Sequence, residues 1–474
     1  MVSVFLPKAK KYLFFLGDIR FWVALFFILQ LENYTNPPLD AHSWRQILTI
    51  TIAKNFLTID PNIFYPRIDT AGELTGIIGS EFPIFNYILL GLYKIFGFED
   101  WYGRVVNSLV SSFGLWALFG IFRRLVNEKV ALYSTLFFGF SLYFKYARKT
   151  MPDTFALSLV FIGIYLGFRF LENPKENKIL IASFLMTTLG LLSKMPAFCP
   201  LVFLIMPLLD NQFSLQSRIK LAVSTSFSMI LMVIWYFIWA PHLVKTYGYQ
   251  LFWPVSITEG WQILVKMSDL VWKQFMINSF GTIWSYYIAL ISLSIWISFK
   301  LKKLLTIFVL YTLIFLIFII KTGEVFPTHD YYILPYIPMM SLLIGYFVGE
   351  IHIPQVLKII IAFLLINMNY NRQRFDLKID DNFKYRLEMG AIVDKYIGKN
   401  DKIMTNGGGY NPVCIYHAGR KGWVFHDEVL KKTNWMPDFK KNGLKYILID
   451  KYWSNPDLPY KLIFEDQHLK IYEP

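Results

Sequence analysis

The chain has 474 residues, of which 55% are hydrophobic, 18% aromatic and only 17% charged, with a mean hydropathy of +0.42. Soluble domains carry about 25% charged residues, so the composition excludes an ordinary soluble globular protein and points to a membrane-embedded chain. The formal charge of +14 is no nucleic-acid signal, because much of it sits in short clusters between apolar runs, where Lys and Arg set orientation against an anionic leaflet.

The chain opens on MVSVFLPKAKKYLFFLGDIRF, basic and then apolar, with no small-residue cleavage site after it, which reads as an uncleaved anchor. A membrane-spanning helix needs about 20 apolar residues. On that basis the sequence predicts an all-α polytopic protein of eleven spans, at residues 17–34, 102–122, 130–147, 154–171, 179–193, 196–209, 220–240, 281–299, 304–320, 331–349 and 354–370. A further apolar run, Phe82 to Phe96, reaches about 22 Å as a helix, short of a hydrocarbon core about 30 Å thick. It also carries Pro83, Asn86 and Lys94. If this run stays on the surface, twelve basic residues fall on the inner side, in loops such as those with Arg123, Arg124 and Lys129 or Lys300, Lys302 and Lys303. Four fall outside: Arg148, Lys149, Lys194 and Lys321. A crossing would reverse the bias, against the positive-inside rule, so the run is expected to be a surface helix.

This topology predicts a membrane domain over residues 1–370, with outer loops at 35–101 and 241–280, and an outer α/β domain over 371–474. In the tail, YRLEMGAIVDKYI is an amphipathic helix and DKIMTNGG, KYILID and YKLIFED are strands. The N-terminus is expected in the cytoplasm and the tail outside, in a plasma membrane of the bacterial inner type. Cys199 and Cys414 form neither a disulfide framework nor a metal motif. The run NGGGY, Asn406 to Tyr410, reads first as a tight turn.

One side of this arrangement collects unusual polar residues: Asp40, His42, Arg45, Glu73, Glu81, Arg148, Asp153, Lys194, Glu324, His329 and Asp330. Ionisable groups at membrane depth are costly and tend to face a cavity. Five separate segments placing them on one face suggest one cavity. Each residue also has a plainer role. Asp40 suits the cap of a helix starting near Ser43, Glu81 a first-turn acid, Lys194 a snorkelling side chain, and Tyr331 with Tyr332 an interfacial belt. A carboxylate base among cations suits transfer onto a hydroxyl or amine with an anionic leaving group. No P-loop, GxGxxG or HExxH is present.

The ordered series D-x-H-S-W-R-Q, YPR-x-D, G-x-E-F-P, RK-x-x-PD, SK-x-P and HDYY-x-LP, within residues 15–350, resembles the GT-C membrane glycosyltransferases. The branch is that of the protein O-mannosyltransferases and the lipid A aminoarabinose transferase. The resemblance implies an inverting transfer of a sugar from a polyprenyl phosphate to a glycan, glycolipid or protein acceptor. A flippase for a lipid-linked glycan is the alternative. By the resemblance, Asp40 and Glu81 are the catalytic acidic residues. Arg148, Asp153, Lys194, His329 and Tyr331 would surround the donor phosphate and substrate, with Arg45 and His42 orienting the first loop or touching the phosphate. Two departures stand out. Ala41 follows Asp40, so there is no Asp-x-Asp or adjacent second acid, which leaves a divalent cation open. His329 stands where other members often have Lys or Arg.

Overall fold

The computed structural model describes residues 16–249, 254–409 and 411–474. The basic start, residues 250–253 of the second outer loop and Tyr410 of the glycine run lie outside the described residues. Contacts divide the chain into two units, each drawn from separated segments. The first takes the described parts of Met1–Tyr34, Gly103–Tyr236 and Phe252–Leu377; the second takes those of Thr35–Tyr102, Phe237–Leu251 and Lys378–Pro474.

Each of the eleven expected spans falls on helix, yet length and composition do not establish eleven crossings. Among the described residues five helices are long and apolar enough: Tyr102–Leu125, Pro152–Glu172, Leu215–Tyr247, Lys302–Thr322 and Asp330–Glu350. A sixth appears if Ser268–Asn278 and Ile283–Ser298, bent by 89°, make one span. The others fall short for local reasons. Ile19–Gln30 has 12 residues. The run at 130–147 breaks into Glu128–Gly139 and Leu142–Tyr146, where Ser141 caps the second piece. The run at 196–209 starts as a 3-10 helix with Pro200 inside, and proline removes a helix donor. Gln355–Arg374 is long enough but ends in NMNYNRQR, which is too polar.

Inside the first unit, small residues let helices close on one another, as membrane packing favours. A Cβ on Gly163 would lie 2.2 Å from Thr187 Oγ1, and one on Gly345 would lie 2.3 Å from the Ser134 nitrogen. The core gathers large aromatic residues such as Phe137, Phe138, Tyr143 and Phe161, all fully buried.

The second unit joins the first loop to the tail. The helices Ser43–Thr58 and Ile84–Phe96 are linked by Asn86 Nδ2, which donates to the Thr49 carbonyl at 2.7 Å. The latter has 13 residues, about 20 Å of rise. Residues 66–78 fold back on themselves, with Ile68 N–H on the Gly76 carbonyl and Ile78 N–H on the Pro66 carbonyl, both 2.9 Å. The tail holds a five-stranded sheet: β1 (Lys402–Thr405), β2 (Lys421–Val424), β3 (Leu444–Asp450), β4 (Lys461–Glu465) and β5 (Leu469–Glu473), in the order β2-β1-β3-β5-β4. The first three are parallel, and β5 pairs antiparallel with β3 and β4. The helix Arg386–Val393 presses Met389 and Val393 onto Ile403, Leu448 and Ile471, while Trp423, Met436 and Ile447 fill the other side.

The free edge of β2 is covered by the first loop. Gly72 N–H donates to the Gly422 carbonyl at 2.8 Å and Gly422 N–H donates to the Asp69 carbonyl at 3.0 Å. The Trp423 indole donates to Glu73 at 2.7 Å, and Lys421 pairs with Asp69 at 3.2 Å. Unpaired strand edges invite wrong partners, and here the loop occupies that position.

Candidate active site

In the second unit, Pro37 and Pro38 precede Leu39, which is 2% exposed and anchors the approach to the helix. His42 turns the chain with φ 62°, a left-handed conformation in which His is enriched among non-glycine residues. It occupies the cap position of Ser43–Thr58, its carbonyl accepting from Arg45 N–H at 3.1 Å and Gln46 N–H at 3.2 Å. Asp40 therefore lies two residues behind the cap. Its Oδ1 accepts from Gln46 Nε2 at 2.7 Å, with Asp40 3% and Gln46 0% exposed. Helical side chains lean toward the N-terminus, which is why Gln46 reaches back over the turn. Arg45, one position earlier, forms an ion pair with Glu81 just ahead of Phe82-Pro83. Asp40, Arg45, Gln46 and Glu81 are thus fastened in pairs by the start of one helix.

In the first unit, Met151 caps the helix Pro152–Glu172, with Pro152 at its first position and Asp153 in its first turn. Proline suits that place and the positive helix end favours a carboxylate. Lys194 ends the helix Asn177–Ser193 in an extended conformation, and Pro196 bars its continuation. The two meet: Lys194 Nζ lies 3.6 Å from Asp153 Oδ1 and 5.9 Å from the Tyr332 ring centroid. Asp153 is buried, and among the described residues its Oδ2 has no hydrogen-bond partner. Asp153, Lys194, Tyr331, Tyr332 and Phe318 line one pocket. His329 sits beside it, its ring 5.6 Å from Tyr331, with Nδ1 2.9 Å from Thr328 Oγ1.

Arg148 is set differently. It is fully buried, and its guanidinium donates to the carbonyls of Glu32 and Asn33. Sequence reasoning passed over Lys145, which lies 2.9 Å from Asp330 and 2.5 Å from Asp376. The Tyr146 hydroxyl also donates to Asp330. These contacts hold the segment that carries His329 and Tyr331. Asn107, also passed over, donates to the carbonyls of Tyr146 and Lys149 at 3.0 and 2.7 Å, shaping the turn before Asp153. Gln46 was likewise missed, because a neutral amide inside an apolar-looking helix carries no charge signal.

Among the described residues no group of three or more His, Cys, Asp or Glu is placed to hold a metal ion. Ala41 supplies no ligand next to Asp40, and Glu81 is engaged by Arg45, so this donor set does not fit a divalent cation.

Residues 80–239, a third of the chain, match the family model described as dolichyl-phosphate-mannose-protein mannosyltransferase. No curated protein sequence matches the chain. Among solved structures it is similar to ArnT from Cupriavidus metallidurans bound to undecaprenyl phosphate, at 12% identity and TM-score 0.57, covering 95% of this chain and 97% of that one. It is also similar to the Archaeoglobus fulgidus oligosaccharyltransferase in complex with Zn and sulfate, at 9% identity and TM-score 0.60, over 96% and 73% of the two chains. AglB from the same organism, in complex with an inhibitory peptide and a dolichol-phosphate, gives 10% identity and TM-score 0.54 over 94% and 73%. At such identities the likeness is one of fold, and it runs almost the whole length of the chain.

Proposed function

This chain is a membrane protein of the GT-C fold, and on that premise we propose that it transfers a sugar from a polyprenyl phosphate to an acceptor hydroxyl or amine, with inversion. The reading places the first loop and the tail outside the cytoplasm of a bacterial inner membrane, with the N-terminus inside. The observation that carries it is Asp40, a carboxylate 3% exposed whose Oδ1 is fastened by a short hydrogen bond at a helix start. A buried carboxylate held in one orientation is suited to accept a proton from a docked acceptor.

In this reading the acceptor O–H or N–H gives its proton to Asp40 as its lone pair attacks the anomeric carbon. The bond from that carbon to the phosphate oxygen breaks, and polyprenyl phosphate leaves with the electron pair. Lys194, held near Asp153, and His329 serve the departing phosphate, where a cation counters developing charge. Tyr331 and Tyr332 wall the pocket. The Arg45–Glu81 pair keeps the first loop in register with the base. No step runs through a metal ion.

Mass spectrometry of surface glycans and glycolipids from a deletion strain tests this. One sugar unit should disappear, return with the wild-type chain and stay absent with Asp40→Asn, identifying both sugar and acceptor. General-base removal costs roughly 10²–10⁴-fold in rate. Full restoration by Asp40→Asn would overturn the assignment and favour a flippase.

A further inference from the structure

We propose that Gln46 is a positioning residue whose amide holds the Asp40 carboxylate in the orientation that receives the acceptor's proton. The inference rests on the glycosyl-transfer reading of Asp40. An ionised carboxylate only accepts hydrogen bonds, so the amide nitrogen of Gln46 is the atom that faces Asp40 Oδ1 at 2.7 Å. Gln46 is fully buried, and its nitrogen is also 3.4 Å from the Ala41 carbonyl. The same amide thus spans the turn made by His42.

The helix beneath Gln46 is itself fixed on neighbouring residues. Arg45 pairs with Glu81, Thr49 Oγ1 donates to the Arg45 carbonyl at 3.2 Å, and Asn86 donates to the Thr49 carbonyl at 2.7 Å. Gln46 therefore connects a braced helix to the loop residue that does the chemistry. Pre-setting a catalytic group within a fraction of an ångström is what such supports supply.

Gln46→Leu and Gln46→Met both remove the hydrogen bond, and the methionine also keeps the length of the side chain. Loss of a hydrogen bond to a charged group corresponds to about 10–100-fold. Both variants should lower sugar transfer in the complemented deletion strain by that factor. Binding of undecaprenyl phosphate to the purified full-length protein, read by native mass spectrometry, should stay within about twofold of wild type. Because Gln46 acts through Asp40, Gln46→Met should add little to the loss caused by Asp40→Glu. Wild-type transfer by both Gln46 variants, or a fully multiplicative loss in the Asp40→Glu background, would overturn the proposal. If Asp40→Asn itself transfers normally, the glycosyl-transfer reading fails instead, so the two failures are distinct.

Discussion

Lys194 and Arg148 look alike as isolated cations near expected span ends, yet their surroundings separate them. Lys194 lines a pocket with Asp153 and two tyrosines, whereas Arg148 is fully buried and donates to the carbonyls of Glu32 and Asn33. Lys194→Met is therefore expected to weaken undecaprenyl phosphate binding by about 10–100-fold, measurable by native mass spectrometry. Arg148→Met should instead lower stability by about 2–4 kcal/mol, seen as a drop in melting temperature in detergent. Sequence alone supplied both residues but not this distinction, since two of the partners of Arg148 are backbone carbonyls more than a hundred positions away. In the tail, burial and then the Arg386 charge push the His417 imidazole down to about 4, with Asp450 opposing. A base with a depressed folded pKa stabilises the fold above its unfolded pKa of about 6.5, and that contribution is lost as pH falls toward about 4. Hydrogen exchange of the tail should show a loss of about 2–3 kcal/mol across that window, and His417→Asn should flatten the slope.

At the scale of elements, the sequence marked β1, β3 and β4 and the helix before them, but passed over β2 and β5. Their chemistry explains why. β2 is four residues long and contains Gly422, and in β5 four consecutive residues, Leu469, Lys470, Ile471 and Tyr472, are all buried, so neither shows the alternation of a half-exposed strand. The loop that covers β2 is expected from the sequence only as an outer loop. Gly72 shows how close that partner is: at φ +60°, a Cβ would lie 2.0 Å from Trp423 Nε1. Gly72→Ala should force the indole off Glu73 and cost about 1–3 kcal/mol of local stability. Faster hydrogen exchange at the Gly72 and Gly422 amides, with the exchange of β3 unchanged, is the expected result. Exchange that matches wild type would mean that the edge is held by other contacts.

At the scale of the molecule, the expected helical membrane body and small sheet were legible because hydrophobic length and period-two runs are local signals. The count of crossings was not, because a break at Ser141 and a 3-10 stretch containing Pro200 interrupt the α-helix in runs that read as continuous. The proposed orientation predicts that, in intact cells, an impermeant thiol reagent labels Thr433→Cys but not Lys178→Cys in a chain whose native cysteines are replaced. The reverse pattern would invert the topology. The pairing of Gly72 with Gly422 also sets a clock. Its two halves lie about 350 residues apart in the chain, and ribosomes add about 5–20 residues per second. The loop bearing Asp40 and Glu81 thus waits roughly 20–70 s for its matching edge. A nascent chain that stalls before residue 422 lacks the strand that braces this loop, so translation must pass that residue before the earlier-made part of the candidate site gains this support.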